Sequence, residues 1–420
     1  MTKSGYKMTE IGEIPDEWEV VEMGDNNVSE LVMGQSPPSS SYNAYADGMP
    51  FLQGNADFGE IYPSPSIYCT KPLKFAEKGD ILLSVRAPVG ELNIAAFKCV
   101  IGRGLAAIRC KDKKTHYKYL YYYLKYSANR LRSQSIGSTF KAVGKDILSH
   151  FEICLPDYEE QKKIAEILST ADETIQKVDE EITLTEKLKK GLMQTLLTKG
   201  IGHTKFKMTE IGEIPEEWKI DKVSNLKESM HYGITAKSTE QRSHLRFLRT
   251  TDISNFNFDP NDLHYCEITG TKPDLSKYYL KQGDIIVARA GTVGVSVLVK
   301  RDLPNTIFGS YLIKIAFNKD LIYANFVHYY FQSDIYWNKL RAAQGSTIKN
   351  ISLPFLKALL LPVPPLQEQQ KIAEILSTVD HKLELLRNKK TYLERIKKGL
   401  MNDLLTGKVR VNINTSEGEN

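Results

Sequence analysis

The 420 residues, 41% hydrophobic and 25% charged, have the composition of a globular protein and predict two or three domains with ample core material. Nowhere do eighteen uninterrupted apolar residues occur, and the start MTKSGYKMTEIGE has no apolar run, so neither a membrane span nor a signal peptide is supported and a cytoplasmic protein without a membrane partner is expected. Cys69, Cys99, Cys110, Cys154 and Cys266 lack C-x-x-C spacing, which argues against a zinc site or disulfide framework, and a formal charge of +5 permits nucleic-acid binding through local patches without demanding it.

In chain order, residues 7–15 read KMTEIGEIP and residues 207–215 repeat them, each followed by a tryptophan-containing pair, Glu17-Trp18 and Glu217-Trp218. The loop of residues 34–43, GQSPPSSSYN, is polar and stiffened by prolines, able to reach a groove or merely to cross the surface. Phe51-Leu52-Gln53 answers Phe247-Leu248-Arg249. Residues 79–86, GDILLSVR, and 283–289, GDIIVAR, each predict a turn, a buried strand and an arginine at its end, before Val89-Gly90 and Val293-Gly294. Gly102-Arg103-Gly104 and Gly309-Ser310-Tyr311 follow in equivalent places, ahead of strands at 105–108 and 312–316. Tyrosine-rich helices are expected over 117–132 and 323–341, the first with an aromatic core and a solvated basic face. They lead to Gly137-Ser138-Thr139-Phe140-Lys141 and Gly345-Ser346-Thr347-Ile348-Lys349.

Two near-copies of one long helix follow the two units. Residues 161–170, QKKIAEILST, return at 369–378 as QQKIAEILST, and KKGLM at 189–193 returns at 397–401. Both offsets are 208 residues, so nothing has been inserted between the landmarks, whereas the offset of 200 at KMTEIGEIP leaves the second unit about eight residues longer. Ile164, Leu168, Ala171, Ile175 and Val178 recur at heptad spacing, as do Ile372, Leu376, Val379, Leu383 and Leu386, and these are the expected pairing residues. Lys189, Lys390 and Lys397 fall on the second seam position, which predicts a coiled coil that is local rather than continuous. Pro156 and Pro364-Pro365 precede the helices, Glu159-Glu160 occupy the first turn, and Gly200 and Gly407 stop them. Each helix would run about 50 to 60 Å at roughly 1.5 Å per residue.

The expected fold class is α+β: two mixed units, residues 1–155 and 203–363, separated by long helices at 156–202 and 364–407, with a disordered tail at 408–420. Because the second unit starts where the first helix ends, pairing requires the second helix to run back antiparallel, which gives an internal repeat with pseudo-two-fold symmetry.

The sequence offers no catalytic constellation: there is no G-x-x-x-x-G-K-[ST], H-E-x-x-H, G-x-G-x-x-G or Pro-Pro-aromatic motif, and no metal or cofactor site is expected. Asp157, Glu160 and Lys162 imitate a nuclease set, but they occupy the first turn of a long helix, where carboxylates are expected for capping. His328, amid tyrosines, reads as packing. Double-stranded DNA suits what remains. Arg86, Arg103, Arg249 and Arg289 stand at turns where a guanidinium could meet guanine or phosphate, against the alternative of a nearby carboxylate. Gln35, Ser36, Gln53, Ser310 and Tyr311 accompany them. Ser138, Lys141, Thr347 and Lys349 lie in turns suited to a phosphate or to structure alone.

KMTEIGEIP with its tryptophan, GDILLSVRAPVG, IGRGLAAI, LPVPPLQEQQKIAEILST and KKGLMNDLLTGK, twice over in this order, resemble the specificity subunit of type I restriction-modification systems, the HsdS family. The resemblance covers nearly the whole chain. It implies two target recognition domains that each read one half of a bipartite DNA site, and helices that set the spacer and dock partners. It further implies two adenine-N6 methyltransferase subunits using S-adenosylmethionine and restriction subunits using ATP and magnesium, none of these cofactors being bound by this chain. The middles of the two units differ, so the half-sites are expected to differ. A stand-alone two-headed DNA-binding or antirestriction protein is the alternative, distinguished by whether a methyltransferase gene lies next door. A nuclease would have to cut DNA with a metal ion as the purified chain.

Overall fold

The computed structural model describes residues 4–134, 142–268, 274–344 and 350–412. The chain divides into two compact units, Met1–Asp179 with Asn388–Asn420, and Glu180–Arg387. Each unit therefore takes one head, the first part of the long helix that follows that head, and the final part of the other long helix.

In unit 1 a four-stranded antiparallel sheet runs in the order Leu92–Ile94, Ile81–Ser84, Leu105–Cys110, Ser29–Met33. Its two central strands read as unbroken apolar runs because both faces are covered. Ile81, Leu83, Ala106 and Ile108 point to a core shared with the tyrosine helix, while Leu82, Leu105 and Ala107 point to a second core with Leu52, Ala76 and Ile101. A five-stranded sheet lies in the order Tyr42–Asn43, Ile67–Cys69, Met49–Leu52, Cys99–Ile101, Phe75–Ala76, with one parallel pair between Cys99–Ile101 and Met49–Leu52. The loop expected over 34–43 is thus partly regular: Ser39–Ser41 form a short 3-10 turn before the strand at Tyr42.

Unit 2 repeats the plan. Lys227–Tyr232, Leu312–Phe317, Ile285–Ala288 and Ser296–Leu298 form its four-stranded sheet, and Lys237–Thr239, His264–Glu267, Arg246–Leu248 and Thr306–Phe308 its second sheet, again with one parallel pair. A two-stranded sheet closes each head, Glu19–Glu22 with Glu152–Leu155 and Lys219–Lys222 with Leu360–Val363.

The tyrosine-rich helices differ from expectation, since each is two helices. Tyr117–Tyr126 gives way to Ala128–Gln134 at buried Ser127, and Ala324–Tyr330 to Asp334–Gln344 at buried Ser333, whose hydroxyl donates to the Tyr330 carbonyl at 2.6 Å. Such a local side-chain bond competes with continuation of the helix. Tyr119, Tyr121, Tyr122 and Tyr123 are all buried, as an aromatic core requires.

The long helices are Tyr158–Leu196 and Leu366–Leu404, and Gly200 and Gly407 beyond them adopt φ of 65° and 69°, the left-handed conformation that ends a helix cheaply at glycine. In unit 1 the end of the second helix, Leu404 and Leu405, packs with the start of the first, Ile164 and Leu168. In unit 2 the end of the first, Met193 and Leu196, packs with the start of the second, Ile372 and Leu376. End meets start in both, so the pairing is antiparallel. Ile164, Leu168, Ile372 and Leu376 serve more than a helix seam: they share their cores with Trp18 and Trp218 of the adjoining heads. Ile175, Val178, Leu383 and Leu386 are buried, and Ala171 and Val379 half-buried.

The lysines that interrupt the seam are paired with carboxylates of the opposing helix. In unit 1 Lys397 pairs with Asp172 and Lys390 with Asp179; in unit 2 Lys189 Nζ lies 2.7 Å from Asp380. Tyr122 and Tyr329 donate their hydroxyls to Asp172 and Asp380 at 2.8 and 2.9 Å. The pairs Asp172–Lys397 and Asp380–Lys189 map onto each other under the offset of 208, so the repeat places one carboxylate and one ammonium on each helix at matching positions.

Candidate nucleic-acid interface

At one end of each head, turns from both sheets are tied together by backbone hydrogen bonds. In unit 1 the turn Gly102-Arg103-Gly104 sits at the centre. Gly102 N donates to Leu52 O at 2.8 Å, Gln35 N to Ile101 O at 3.0 Å, Arg103 N to Ser36 Oγ at 3.2 Å, and Val85 N to Gly104 O at 2.9 Å. Those bonds gather Gln35, Ser36, Gln53, Arg86 and Arg103. Arg86 also forms a bridge with Ala142, where the described chain resumes. Gln35, Gln53, Arg86 and Arg103 are exposed and Ser36 half-buried. The approach is close enough to require glycine: a Cβ on Gly34 would lie 2.1 Å from Gly102 O.

Unit 2 builds the same end from different residues. Gly309 N donates to Leu248 O at 2.9 Å, Ile234 N to Phe308 O at 3.0 Å, Arg289 N to Tyr311 O at 2.9 Å, and Ile351 N to Arg289 O at 3.0 Å. A Cβ on Gly233 would lie 2.2 Å from Gly309 O. Arg249, Arg289, Ser310 and Tyr311 are gathered here, with Tyr311 64% exposed.

The arginines are not alike. Arg249 is occupied within the protein: its guanidinium forks onto Asp252, with bonds of 2.6 to 3.2 Å, and meets His264 Nδ1 at 2.8 Å. Asp252 also accepts from Arg249 N at 2.8 Å, as Asp57 does from Gln53 N at 2.9 Å, and the ion pair raises the guanidinium pKa. For Arg249 the carboxylate alternative holds, and it shapes its turn. Arg289 lies over the Tyr232 ring at 4.5 Å, and its Nε donates to Asn350 Oδ1 at 3.3 Å, a half-exposed cation held by a stacking contact. Ser138, Lys141, Thr347 and Lys349 lie outside the described residues.

Two supports were not read from the sequence. At the end of each four-stranded sheet away from the loop end, a buried carboxylate at a strand start is matched by a cation from the neighbouring strand: Asp80 by Arg109 at 2.9 Å and Asp284 by Lys314 at 3.2 Å. Glu160, placed by sequence among end charges, is buried, accepts from Trp18 Nε1 at 3.2 Å and takes the Arg410 fork at 2.8 and 2.9 Å. In unit 2 Glu368 accepts from Trp218 Nε1 and His203 Nε2, both at 3.0 Å. Asp157 does cap, accepting from Glu159 N at 2.9 Å. The repeated tryptophan, followed by a glutamate in each helix's first turn, was the signal available.

The same loop-end scaffold is thus present twice, carrying different side chains in the two heads. Residues 15–186 and 202–395 each match the family described as type I restriction modification DNA specificity domain. The chain is 30% identical over 410 residues to the type I restriction enzyme MjaVIII specificity subunit of Methanocaldococcus jannaschii, covering 95% of this chain and 94% of that one. It is 50% identical over 193 residues to the putative MjaX specificity subunit of the same organism, a match spanning 46% of this chain and 45% of that relative. The crystal structure of the type I restriction-modification S subunit from M. genitalium shares the fold with a TM-score of 0.60 at 18% identity, covering 95% of this chain and 97% of that one. The chain belongs to the type I restriction-modification DNA specificity family.

Proposed function

We propose that this chain is the DNA-reading subunit of a type I restriction-modification complex, in which each head reads one half of an asymmetric bipartite double-stranded site and the long helices set the unread spacer. The observation that carries the reading is the loop end built twice on one backbone plan, with Gln35, Gln53, Arg86 and Arg103 in one head and Arg289, Ser310 and Tyr311 in the other. Identical scaffolds with different exposed groups suit two targets of one chemical kind but different sequence.

The partners are two adenine-N6 methyltransferase subunits, which carry S-adenosylmethionine, and restriction subunits, which carry ATP and magnesium. The chain itself performs no chemistry. A pair of exposed apolar side chains on each long helix supports docking there: Leu184 and Leu188 on the first and Tyr392 and Ile396 on the second, 64, 55, 63 and 38% exposed and again related by 208 residues.

The test is to map adenine methylation directed by the chain expressed with its methyltransferase subunit. Arg86→Ala should relax one half-site and Arg289→Ala the other, each by about 1 to 3 kcal/mol of discrimination. Methyl transfer by the purified chain alone, or both half-sites unaltered in both variants, would overturn the reading.

A further inference from the structure

Each unit carries a separate hairpin, Tyr6–Thr9 with Gly12–Pro15 and Phe206–Thr209 with Gly212–Pro215, paired in the same register. Their sequences from residues 7 and 207 are identical over nine positions. Packing accounts for part of that identity. Ile14 and Ile214 are buried, Thr9 and Thr209 donate to Gly12 O and Gly212 O at 2.7 and 2.6 Å, and Lys7 and Lys207 donate to the carbonyls of Asp16 and Glu216 at 2.7 and 2.8 Å. Met8 and Met208 have no such account. They are 67 and 79% exposed, so the fold gives them little to pack on, and a large apolar group left in water loses the gain that burial would bring.

Elsewhere the heads differ at matched places of the loop ends, exposed Gln53 against half-buried Arg249 and exposed Arg103 against half-buried Ser310. The loop ends thus face different targets, whereas the hairpins present one and the same surface. That surface does not suit DNA: residues 7–17 and 207–217 each carry one lysine against four carboxylates, and with Arg410 paired to Glu17 and Lys199 to Glu213 each still keeps an excess of negative charge, which phosphates oppose. A methionine standing out of an acidic hairpin suits a protein with an apolar socket rimmed by basic groups, since its unbranched thioether adapts to irregular sockets. Two copies of the surface call for two copies of that protein.

We infer that the two hairpins are docking points for the modification subunit, one copy at each, with Met8 and Met208 seated in the socket and Glu10 and Glu210 facing its cations. The inference rests on the functional reading above and adds a contact separate from the long helices. It is tested by native mass spectrometry and titration of the full chain with the modification subunit of its own host. The unaltered chain should take up two subunits. Met8→Glu and Met208→Glu should each weaken one of the two binding events at least ten-fold while leaving the urea midpoint unchanged, and Glu10→Lys and Glu210→Lys should weaken binding in the same direction. Two subunits bound with unchanged affinity by the Met8→Glu, Met208→Glu double variant would overturn this inference alone. An unaltered chain that binds no modification subunit would overturn the functional reading and this inference with it.

Discussion

Glu160 and Glu368 hold the same place in the first turn of their helices and accept from the same tryptophan nitrogen, yet they meet different cations. Arg410, which also reaches Glu17 at 3.0 Å, brings a fork that is charged at every relevant pH, while His203 is charged only when protonated. The seam pairs diverge similarly. Their lysines are alike, Lys397 and Lys189 being 14 and 20% exposed, but Asp172 is buried at 8% whereas Asp380 is 38% exposed. The helix supplies the acceptor in both units and must keep it, because the buried tryptophan N–H and tyrosine O–H need it. The cation arrives from another element and is free to vary. Duplication has preserved the half of each tie that lies in the core.

Breaking the buried seam pair should have the largest effect. Lys397→Ala leaves Asp172 buried without its cation and should destabilise unit 1 by about 3 to 4 kcal/mol, while Lys189→Ala, beside the more open Asp380, should cost about 1 kcal/mol. Urea unfolding followed by hydrogen exchange of peptides from each unit separates the two. Arg410→Ala should come next, at about 3 kcal/mol, because Glu160 is sealed but Arg410 itself is partly in water. Exchange should rise at Glu152–Leu155 and not at its counterpart Leu360–Val363.

A pH titration sharpens the contrast further. Burial pushes His328 down to about 4, with Lys189 adding to the shift, and its Nδ1 is sealed without a partner among the described residues. The unfolded chain takes up this proton near the ordinary histidine value while the folded unit resists it. Stability of unit 2 should therefore fall as pH drops from about 6.5 toward 4, by about 2 kcal/mol at about pH 5. The matching residue in unit 1 is Tyr121, whose phenol burial pushes up, so unit 1 should show no such loss from this position. His328→Leu should flatten the curve. The smallest effect is expected from His203→Arg, which gives unit 2 the permanent cation of unit 1 and should add about 1 kcal/mol in urea unfolding.

What the sequence made legible was whatever recurs at fixed spacing: the repeated KMTEIGEIP segments, though not that they are hairpins, the helix register, the glycine stops and the matched strands. The loop ends could be located because Gly102 and Gly309 mark the same turn. Roles that depend on a partner distant in sequence were harder to see. Lys189 and Lys397 looked like breaks in a seam because Asp380 and Asp172 lie on the opposing helix, and Glu160 looked like an end charge because Arg410 comes from 250 residues away. Arg249 was readable in principle, since Asp252 stands three residues on. The split of the tyrosine helices turned on buried serines that resemble ordinary helix residues on paper.

Unit 2 is one unbroken stretch, Glu180–Arg387, but unit 1 needs Asn388–Asn420 to be complete, with Leu404 and Leu405 in its core and Arg410 on Glu160. On a ribosome the order of completion is therefore inverted. The head made first must wait for a segment made after the second head, holding Trp18, Ile164 and Leu168 without their final cover, while the head made second already has every residue it requires. A chain stalled or clipped before residue 388 would carry one finished unit and one with an open apolar floor, and such a fragment is the form in which this protein is most prone to aggregate.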